Sequence, residues 1–333
     1  MQSYEIGPNE GGQRFDKFLH KYMPSAGTGF FYKMLRKKNI TLNGKKAEGK
    51  EILNVGDKVC FFFADETFEK FRGISAENTK ISEGNTGEYQ KARETLKGIT
   101  VLYEDEHVLI LNKPAGILSQ KAQNTDLSLN EWLIGYLLLE NKITKKQLET
   151  FKPSVCNRLD RNTSGLVLCG KSLAGSQKLS ELIRQREVGK FYRTFVKGQM
   201  KEAAHITGKL VKDEHSNKVT ISVNDGQDIE TAYKPIADLG DMTYLEVELI
   251  TGKTHQIRAH LSSVGHPIAG DGKYGHEGFN EKMRREFGVK WQLLHAYRME
   301  FPVLDGALVG LSQKEIIAPL PPIYEKILLS RKK

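Results

Sequence analysis

The sequence predicts an α+β chain: a largely antiparallel mixed sheet that carries the chemistry, with a small α/β module in front of it. Three observations point there. After residue 99, short β-rich runs outnumber helical ones and do not alternate regularly with them, which disfavours a doubly wound parallel sheet. The first 64 residues have a compact pattern of their own and hold 11 basic against 6 acidic side chains, so +5 of the overall +9 lies there. Residues 65–98 are rich in Glu, Lys, Asn, Thr, Ser and Gly and show little periodicity. The expected organisation is a polyanion-binding module over 1–64, a flexible linker over 65–98 that lets it move, and a catalytic body over 99–333.

In the module, Arg14 to Tyr22 sets Phe15, Leu19 and Tyr22 at helical spacing, and Pro24 stops the helix. Gly29 to Lys38 offers Phe30, Phe31, Met34 and Leu35 to a core while Lys33, Arg36, Lys37 and Lys38 face water. Ile40 to Leu42 is a strand entering an Asn43-Gly44 turn, and Lys58 to Phe63 is a second strand. Within the expected linker, a short helix is read near Gln90 to Leu96. In the body, strands are read at Thr100–Leu102, Val108–Asn112, Leu166–Cys169, Phe191–Val196, Val219–Val223 and Tyr244–Leu249. Helices are read at Leu127–Leu139, Leu179–Arg186 and Thr254–Val264, the last with Ile257, Leu261 and Val264 on one face.

Composition narrows the function classes. Among 333 residues, 39% are hydrophobic and 27% charged, which suits a globular chain with a sizeable core. The longest apolar run, Val59 to Ala64, is six residues, far short of a membrane span. MQSYEIGPNE lacks a basic region followed by an apolar stretch, so no secretory signal is read there. Three cysteines, Cys60, Cys156 and Cys169, do not make a disulfide framework, and a reducing cytoplasm is the expected setting. A pI near 9.2 with a basic N-terminal fifth favours nucleic acid as partner.

Several chemical signatures fall away on inspection. Gly270-Asp271-Gly272-Lys273-Tyr274-Gly275 matches GxGxxG in letters, but it follows a helix and His266-Pro267 instead of a strand. There is no phosphate-cradling GxxxxGK[ST]. A metal centre would draw on His255, His260, His266 and His295, yet His255 and His260 are five apart, not the i, i+4 pair of a helical zinc site. No cofactor or metal is expected. The informative stretch is Cys156 to Lys171. Asp160 enters a polar turn, Asn162-Thr163-Ser164-Gly165, ahead of a buried strand, with Arg158 and Arg161 on either side. A carboxylate among cations stays ionised, which suits a nucleophile or an electrostatic anchor; a structural Asp–Arg pair capping a turn reads the same residues as well.

The order of segments decides between these. Arg158-Leu159-Asp160, with Thr163-Ser164-Gly165 after it, resembles the central motif of RNA pseudouridine synthases of the RluA family, the large-subunit rRNA C/D kind. Val108 to Gly116, a strand leading into Lys113-Pro114-x-Gly116, resembles the family's first motif. Lys190 to Gly198 resembles the strand that supplies its tyrosine. Leu249 to Leu261 with Gly265 to Gly275 resembles its third motif. Residues 13–64 resemble the S-four-type RNA-binding domain, which grips RNA backbones through its basic second helix. One departure is Asn157, where many members have His.

The resemblance implies a pseudouridine synthase fold and a cofactor-free isomerisation of uridine, with the base flipped out of the RNA. It implies Asp160 as the catalytic carboxylate, Arg258 as its partner, and Tyr192 stacked on the uracil. Ile257 would be an apolar wall, Arg158 would fill the gap or clamp phosphates, and Lys33, Arg36, Lys37 and Lys38 would hold the backbone. His255, Gln256 and His260 are read as hydrogen-bonded scaffolding, Lys273 as a phosphate contact, and Tyr233 and Tyr274 as packing residues. The expected partner is RNA, large-subunit rRNA first, with a monomer as the default and no membrane association. The competing reading is a non-catalytic RNA-binding ribosome assembly factor on a degenerate synthase fold.

Overall fold

The computed structural model describes residues 1–73, 87–212, 218–222 and 224–331. The N-terminal unit contains β1 (Gln2–Glu5), α1 (Phe15–Tyr22), α2 (Thr28–Arg36), β2 (Ile40–Leu42), β3 (Lys45–Lys46), β4 (Lys58–Phe61) and α3 (Asp65–Arg72). Its sheet runs β1-β4-β2-β3 with every pairing antiparallel. Asn43 and Gly44 both take positive φ, as the tight hairpin between β2 and β3 requires. Phe15, Phe18, Leu19 and Tyr22 bury one face of α1 against Phe31, Leu35, Val59 and Phe61. α2 ends at Arg36, two residues before the expected end; Lys37 caps it and Lys38 sits in the left-handed region.

The expected linker over 65–98 is structured at both ends. α3 drives Phe68 into the N-terminal core and lays the Arg72 guanidinium 4.1 Å over the Tyr22 ring, so that unit extends past residue 64. A further helix, α4 (87–95), buries Tyr89 and Ala92 on the other unit. Its backbone lies so close to α5 (Leu129–Leu139) that a Cβ on Gly135 would meet the Tyr89 carbonyl oxygen at 2.3 Å. The short helix expected near Gln90 to Leu96 is found as α4, beginning three residues earlier, whereas α3 was hidden by its charged sequence, in which few apolar residues face a core. Residues 74–86 lie outside the described residues. The two units touch where Thr150 donates to Glu10, Arg72 pairs with Glu149 at 2.8 Å, and the Leu173 N–H donates to Asn9.

The second unit is built on one 11-stranded sheet. Its strands are β5 (Thr100–Glu104), β6 (Val108–Lys113), β7 (Ser154–Val155), β8 (Ser164–Gly170), β9 (Gly189–Lys197), β10 (Ala204–Lys212), β11 (Val219–Ser222), β12 (Gln227–Asp238), β13 (Met242–Leu249), β14 (Leu294–Glu300) and β15 (Glu315–Ile317). The main path is β11-β10-β12-β13-β9-β14-β8-β6-β5, with β15 on β14 and β7 on β8. All described pairings are antiparallel except β14 with β8. The mixed, largely antiparallel sheet expected from the sequence is the one found.

Two features of this sheet position the site. β8 is buried along its whole length, which explains its unbroken apolar reading. Its Gly165, at φ 111°, lies so close to β14 that a Cβ would meet the Ala296 oxygen at 2.1 Å, so only glycine lets the two strands approach there. α6 (Leu173–Gln185), α7 (Gln256–Ser263), α8 (Glu277–Phe287) and α9 (Pro322–Arg331) complete the unit. β12 went unread because Pro235 argues against a central strand. The sheet absorbs the proline at a register shift between Pro235 and Ala237, where Ile236 is left exposed.

Candidate active site

Asp160 lies in the loop between β7 and β8, and that loop is tied down at nearly every residue. Asn157 accepts from the Leu168 N–H at 2.7 Å and donates to the Leu166 carbonyl at 3.4 Å, so its amide acts as one more rung beside β8. Asn157, the departure from the family pattern noted in the sequence, thus fixes the approach to the loop. Leu159 is held at both backbone polar groups by the Ser119 hydroxyl, at 2.8 and 3.0 Å. The Asp160 carbonyl accepts from the Thr163 N–H. The Arg161 carbonyl accepts from both the Gly116 N–H and the Lys113 ammonium. Beyond the turn, Gln292 donates to Thr163, and Ser164 pairs with His295 at 2.8 Å.

Lys113 is the hub of this arrangement. It is fully buried, and its Nζ donates to the carbonyls of Pro114, Ile117 and Arg161 at 3.1, 2.8 and 3.1 Å. Burial pulls its pKa down to about 7, against the opposing charge of Asp160. Three converging carbonyls match the three donors of the ammonium form. The sequence marked Lys113 only as part of Lys-Pro-x-Gly, and nothing in a lone lysine announces burial.

Arg258, on α7, sits between two carboxylates. Its Nη1 donates to Asp160 at 2.7 Å, while Nε and Nη2 donate to Asp271 at 2.7 and 2.9 Å. Asp271 is buried and also accepts the N–H groups of Lys273 and Tyr274. Burial works against both charges. The hydrogen bonds and charge of Asp271, joined by those of Asp160, outweigh it and hold the Arg258 pKa above its ordinary value; Arg258 and the two amides likewise hold Asp271 below the usual carboxylate range. Asp271 was missed because Gly270 to Gly275 reads as a glycine turn. It is in fact the anchor that aims Arg258 at Asp160.

His255 stands beside them, with Nε2 3.8 Å from the Asp160 carboxylate. It caps α7 in the left-handed region at φ 54°, a sparsely populated state for a non-glycine residue. Its Nδ1 meets the Tyr274 hydroxyl at 2.9 Å, and that oxygen also accepts the Val219 N–H. The Tyr274 contact holds the ring with Nε2 turned toward Asp160. Burial lowers the His255 pKa, the attraction of Asp160 opposing it and the nearby Arg258 and Lys273 reinforcing it. Tyr274 thus orients the imidazole as well as packing, and it lies under Arg258, its ring centre 5.1 Å from the guanidinium carbon.

Tyr192 is buried on β9, opposite Val247 of β13 and Ala296 of β14. Burial and the nearby Asp160 charge raise its hydroxyl well above the ordinary phenol range. Ile257 is buried in the main core at the start of α7. Arg158 is exposed and has no ion pair among the described residues. Asp160, Arg258 and Tyr192 therefore come together, Ile257 stays close through α7, and Arg158 stands at the rim. Lys33, Arg36, Lys37 and Lys38 are exposed at and just beyond the end of α2, on the other unit.

The four histidines weighed for a metal are spent on separate hydrogen bonds: His255 to Tyr274, His260 to Thr231, His266 to the Lys197 carbonyl and His295 to Ser164. Among the described residues no cluster of three or more His, Cys, Asp or Glu side chains forms a cation cage. Nor is any helix among them long and apolar enough to cross a membrane.

The sequence profile of the RNA pseudouridylate synthase family matches residues 107–263, which include Asp160, Tyr192 and Arg258. The chain is 30% identical over 336 aligned positions to the ribosomal large subunit pseudouridine synthase C of Vibrio parahaemolyticus, covering 100% of this chain and 97% of that protein. It is 32% identical to the protein of the same name in Rickettsia bellii, covering 94% of this chain and 96% of that one. Among solved structures, human RNA pseudouridylate synthase domain containing 4 shares the fold at a TM-score of 0.56 and 21% identity, covering 73% of this chain and 96% of that chain. Likeness along the full length of catalytic relatives, with the acidic, basic and aromatic residues gathered at one loop, favours an isomerase over a degenerate RNA-binding relative. The chain belongs to the RNA pseudouridylate synthase family.

Proposed function

We propose that the protein converts uridines of large-subunit ribosomal RNA to pseudouridine, with Asp160 as the catalytic carboxylate. The observation that carries this is the Asp160–Arg258 pair at 2.7 Å, on a loop tethered to β6, β8 and β14, with the Tyr192 ring beside it. The names of its relatives in Vibrio parahaemolyticus and Rickettsia bellii suggest the substrate class.

The reaction breaks the bond from the sugar to N1, turns the base and joins C5 to the sugar. Asp160, aimed by Arg258, acts on the sugar or the base. Its carboxylate side chain is 27% exposed, so a nucleotide drawn out of the RNA has access to it. Tyr192 and Ile257 line an apolar wall that keeps the detached uracil from water. The Tyr192 hydroxyl, protonated at every physiological pH, is placed to relay the C5 proton. Arg158, exposed two residues before Asp160, takes the gap left by the flipped base or the adjacent phosphates.

The N-terminal unit serves as an S-four-type RNA clamp, with Lys33, Arg36, Lys37 and Lys38 on phosphates. The protein works as a monomer in the cytoplasm. The test is site mapping: wild type and Asp160→Asn are incubated with unmodified large-subunit rRNA and with unmodified tRNA, and pseudouridines are located by carbodiimide-stop sequencing. Stops in rRNA with wild type only are expected. Stops with both proteins would remove Asp160 from the chemistry, and stops confined to tRNA would overturn the substrate.

A further inference from the structure

A second cleft adjoins the Asp160 loop, and the chemistry above does not use it. Asn162, Gly270, Gly272, Arg284, Trp291 and Gln292 line a cavity of about 180 Å³. One wall is the catalytic loop itself, since Asn162 follows Asp160 by two residues and Gln292 donates to Thr163. A second wall is the turn carrying Asp271, the anchor of Arg258. The third is the segment 289–292 leading into β14.

The groups facing this space have unspent capacity. The Asn162 Oδ1 is buried and accepts no hydrogen bond among the described residues. Arg284 and Lys290 are exposed at the rim, and no ion pair holds either one among the described residues. Glu281 and Glu286 share α8 with Arg284, and Glu286 is drawn to Lys282 and Arg331. Trp291 is 47% exposed, unusual for the largest side chain, and no aromatic or cation covers its ring among the described residues. The floor at Gly272 is open, with nothing within 4 Å of where a Cβ would lie.

We propose that this cleft is a subsite for a nucleotide next to the target uridine in the substrate RNA. The base stacks on the Trp291 indole, its phosphate lies on Arg284 and Lys290, and an N–H of the base or a ribose hydroxyl donates to Asn162 Oδ1. The volume is that of about six waters, enough for one planar base with its phosphate left at the rim. A strand whose target nucleotide reaches Asp160 must run across the neighbouring surface. An indole between two cations is the combination that holds single-stranded nucleic acid without reading its sequence. An acidic peptide would use the cations and could donate an N–H to Asn162 Oδ1, but its carboxylates bring no planar base to stack on the indole.

This inference rests on the RNA-modifying reading, and two measurements keep the two apart. The first needs no turnover. Oligouridylate titrated into the protein should quench the fluorescence of Trp291, while Trp132, buried and stacked on Tyr136, stays bright. The quench should vanish in Trp291→Ala, and an absent quench in wild type would overturn the subsite whatever the enzyme modifies.

The second measurement uses an RNA fragment that wild type modifies, with abasic residues placed one at a time within three nucleotides of the target. One position should raise the wild-type KM about tenfold with kcat within twofold. Trp291→Ala should show a similar KM on intact RNA and be indifferent to that abasic site. Arg284→Ala/Lys290→Ala should raise KM on every RNA and lower its salt dependence by one to two phosphate contacts. An unchanged KM in Trp291→Ala, or additive effects at all positions, would overturn the proposal. Quenching by an acidic peptide as strong as by RNA would do the same.

Discussion

Asp271→Asn is the most exacting perturbation, because it changes one charge without changing shape. Asp271 accepts four hydrogen bonds, two from Arg258 at 2.7 and 2.9 Å and two from the amides of Lys273 and Tyr274 at 2.8 and 3.1 Å. An asparagine keeps one acceptor and turns the other oxygen into a donor that must face a donor. Breaking a buried ion pair costs about 3–5 kcal/mol. Asp160 retains its hold on Arg258 Nη1, so the lower end, about 3 kcal/mol, is expected. The assay is urea unfolding followed by tryptophan fluorescence, for both tryptophans, Trp132 and Trp291, lie in the catalytic unit. The sign with pH follows from the lowered pKa of Asp271. Its contribution is fully present above the ordinary carboxylate value of about 3.9 and fades as pH falls through the lower folded value. The gap between wild type and variant should therefore be widest at pH 7 and close below about pH 4. Arg258, half released, should also misplace Asp160 and lower kcat by about 100-fold. A gap below about 1 kcal/mol at pH 7, or one that does not narrow on acidification, would refute the anchoring role.

Further perturbations test the neighbouring residues. Lys113→Met strips the donor from three buried carbonyls and should cost about 3 kcal/mol, read from urea midpoints. Because the folded pKa of Lys113, about 7, lies below its unfolded value, wild-type stability should rise from pH 7 toward pH 10, and the Met variant should lack that rise; parallel curves would show that the lysine does not titrate in this range. Tyr192→Phe keeps the ring and loses the hydroxyl, so RNA affinity should hold within about twofold while tritium release from C5-labelled uridine falls about 100-fold or more. Unchanged release would confine Tyr192 to stacking. Replacing Lys33, Arg36, Lys37 and Lys38 together with Ala should flatten the slope of log affinity against log salt by about 3, since each phosphate contact contributes about 0.7–0.9. An unaltered slope would take α2 off the RNA.

What was legible in the sequence follows what local pattern carries. Asp160, Tyr192 and Arg258 stand in segments whose order and spacing speak together, and the alternating strands of the body were read from their apolar periods. Partners that depend on tertiary approach were not legible. Asp271 finds Arg258 across 13 residues and a change of direction, and no spacing encodes that. Lys113 reads as a surface lysine until the loop closes over it. His255 reads as helical, yet it is the left-handed residue just before the helix. β12 was hidden by Pro235, whose cost to the ladder is taken up by the register shift beside it.

The parallel pairing of β8 with β14 sets the order in which this enzyme comes into being. Residues that touch there, Ser164 with His295 and Gly165 with Ala296, are separated by about 130 positions. Every recognisable motif has been translated by residue 275, yet the loop bearing Asp160 gains its Gln292 and His295 tethers only when the chain near residue 300 arrives. Long-range pairing of this kind forms late, because loop closure must precede the contacts that reward it. Until then the loop holds its Ser119, Asn157, Lys113 and Arg258 contacts without the two that fasten it to the β14 side. The loop is fully tethered only once the segment carrying Gln292 and His295 has been made and packed against β8.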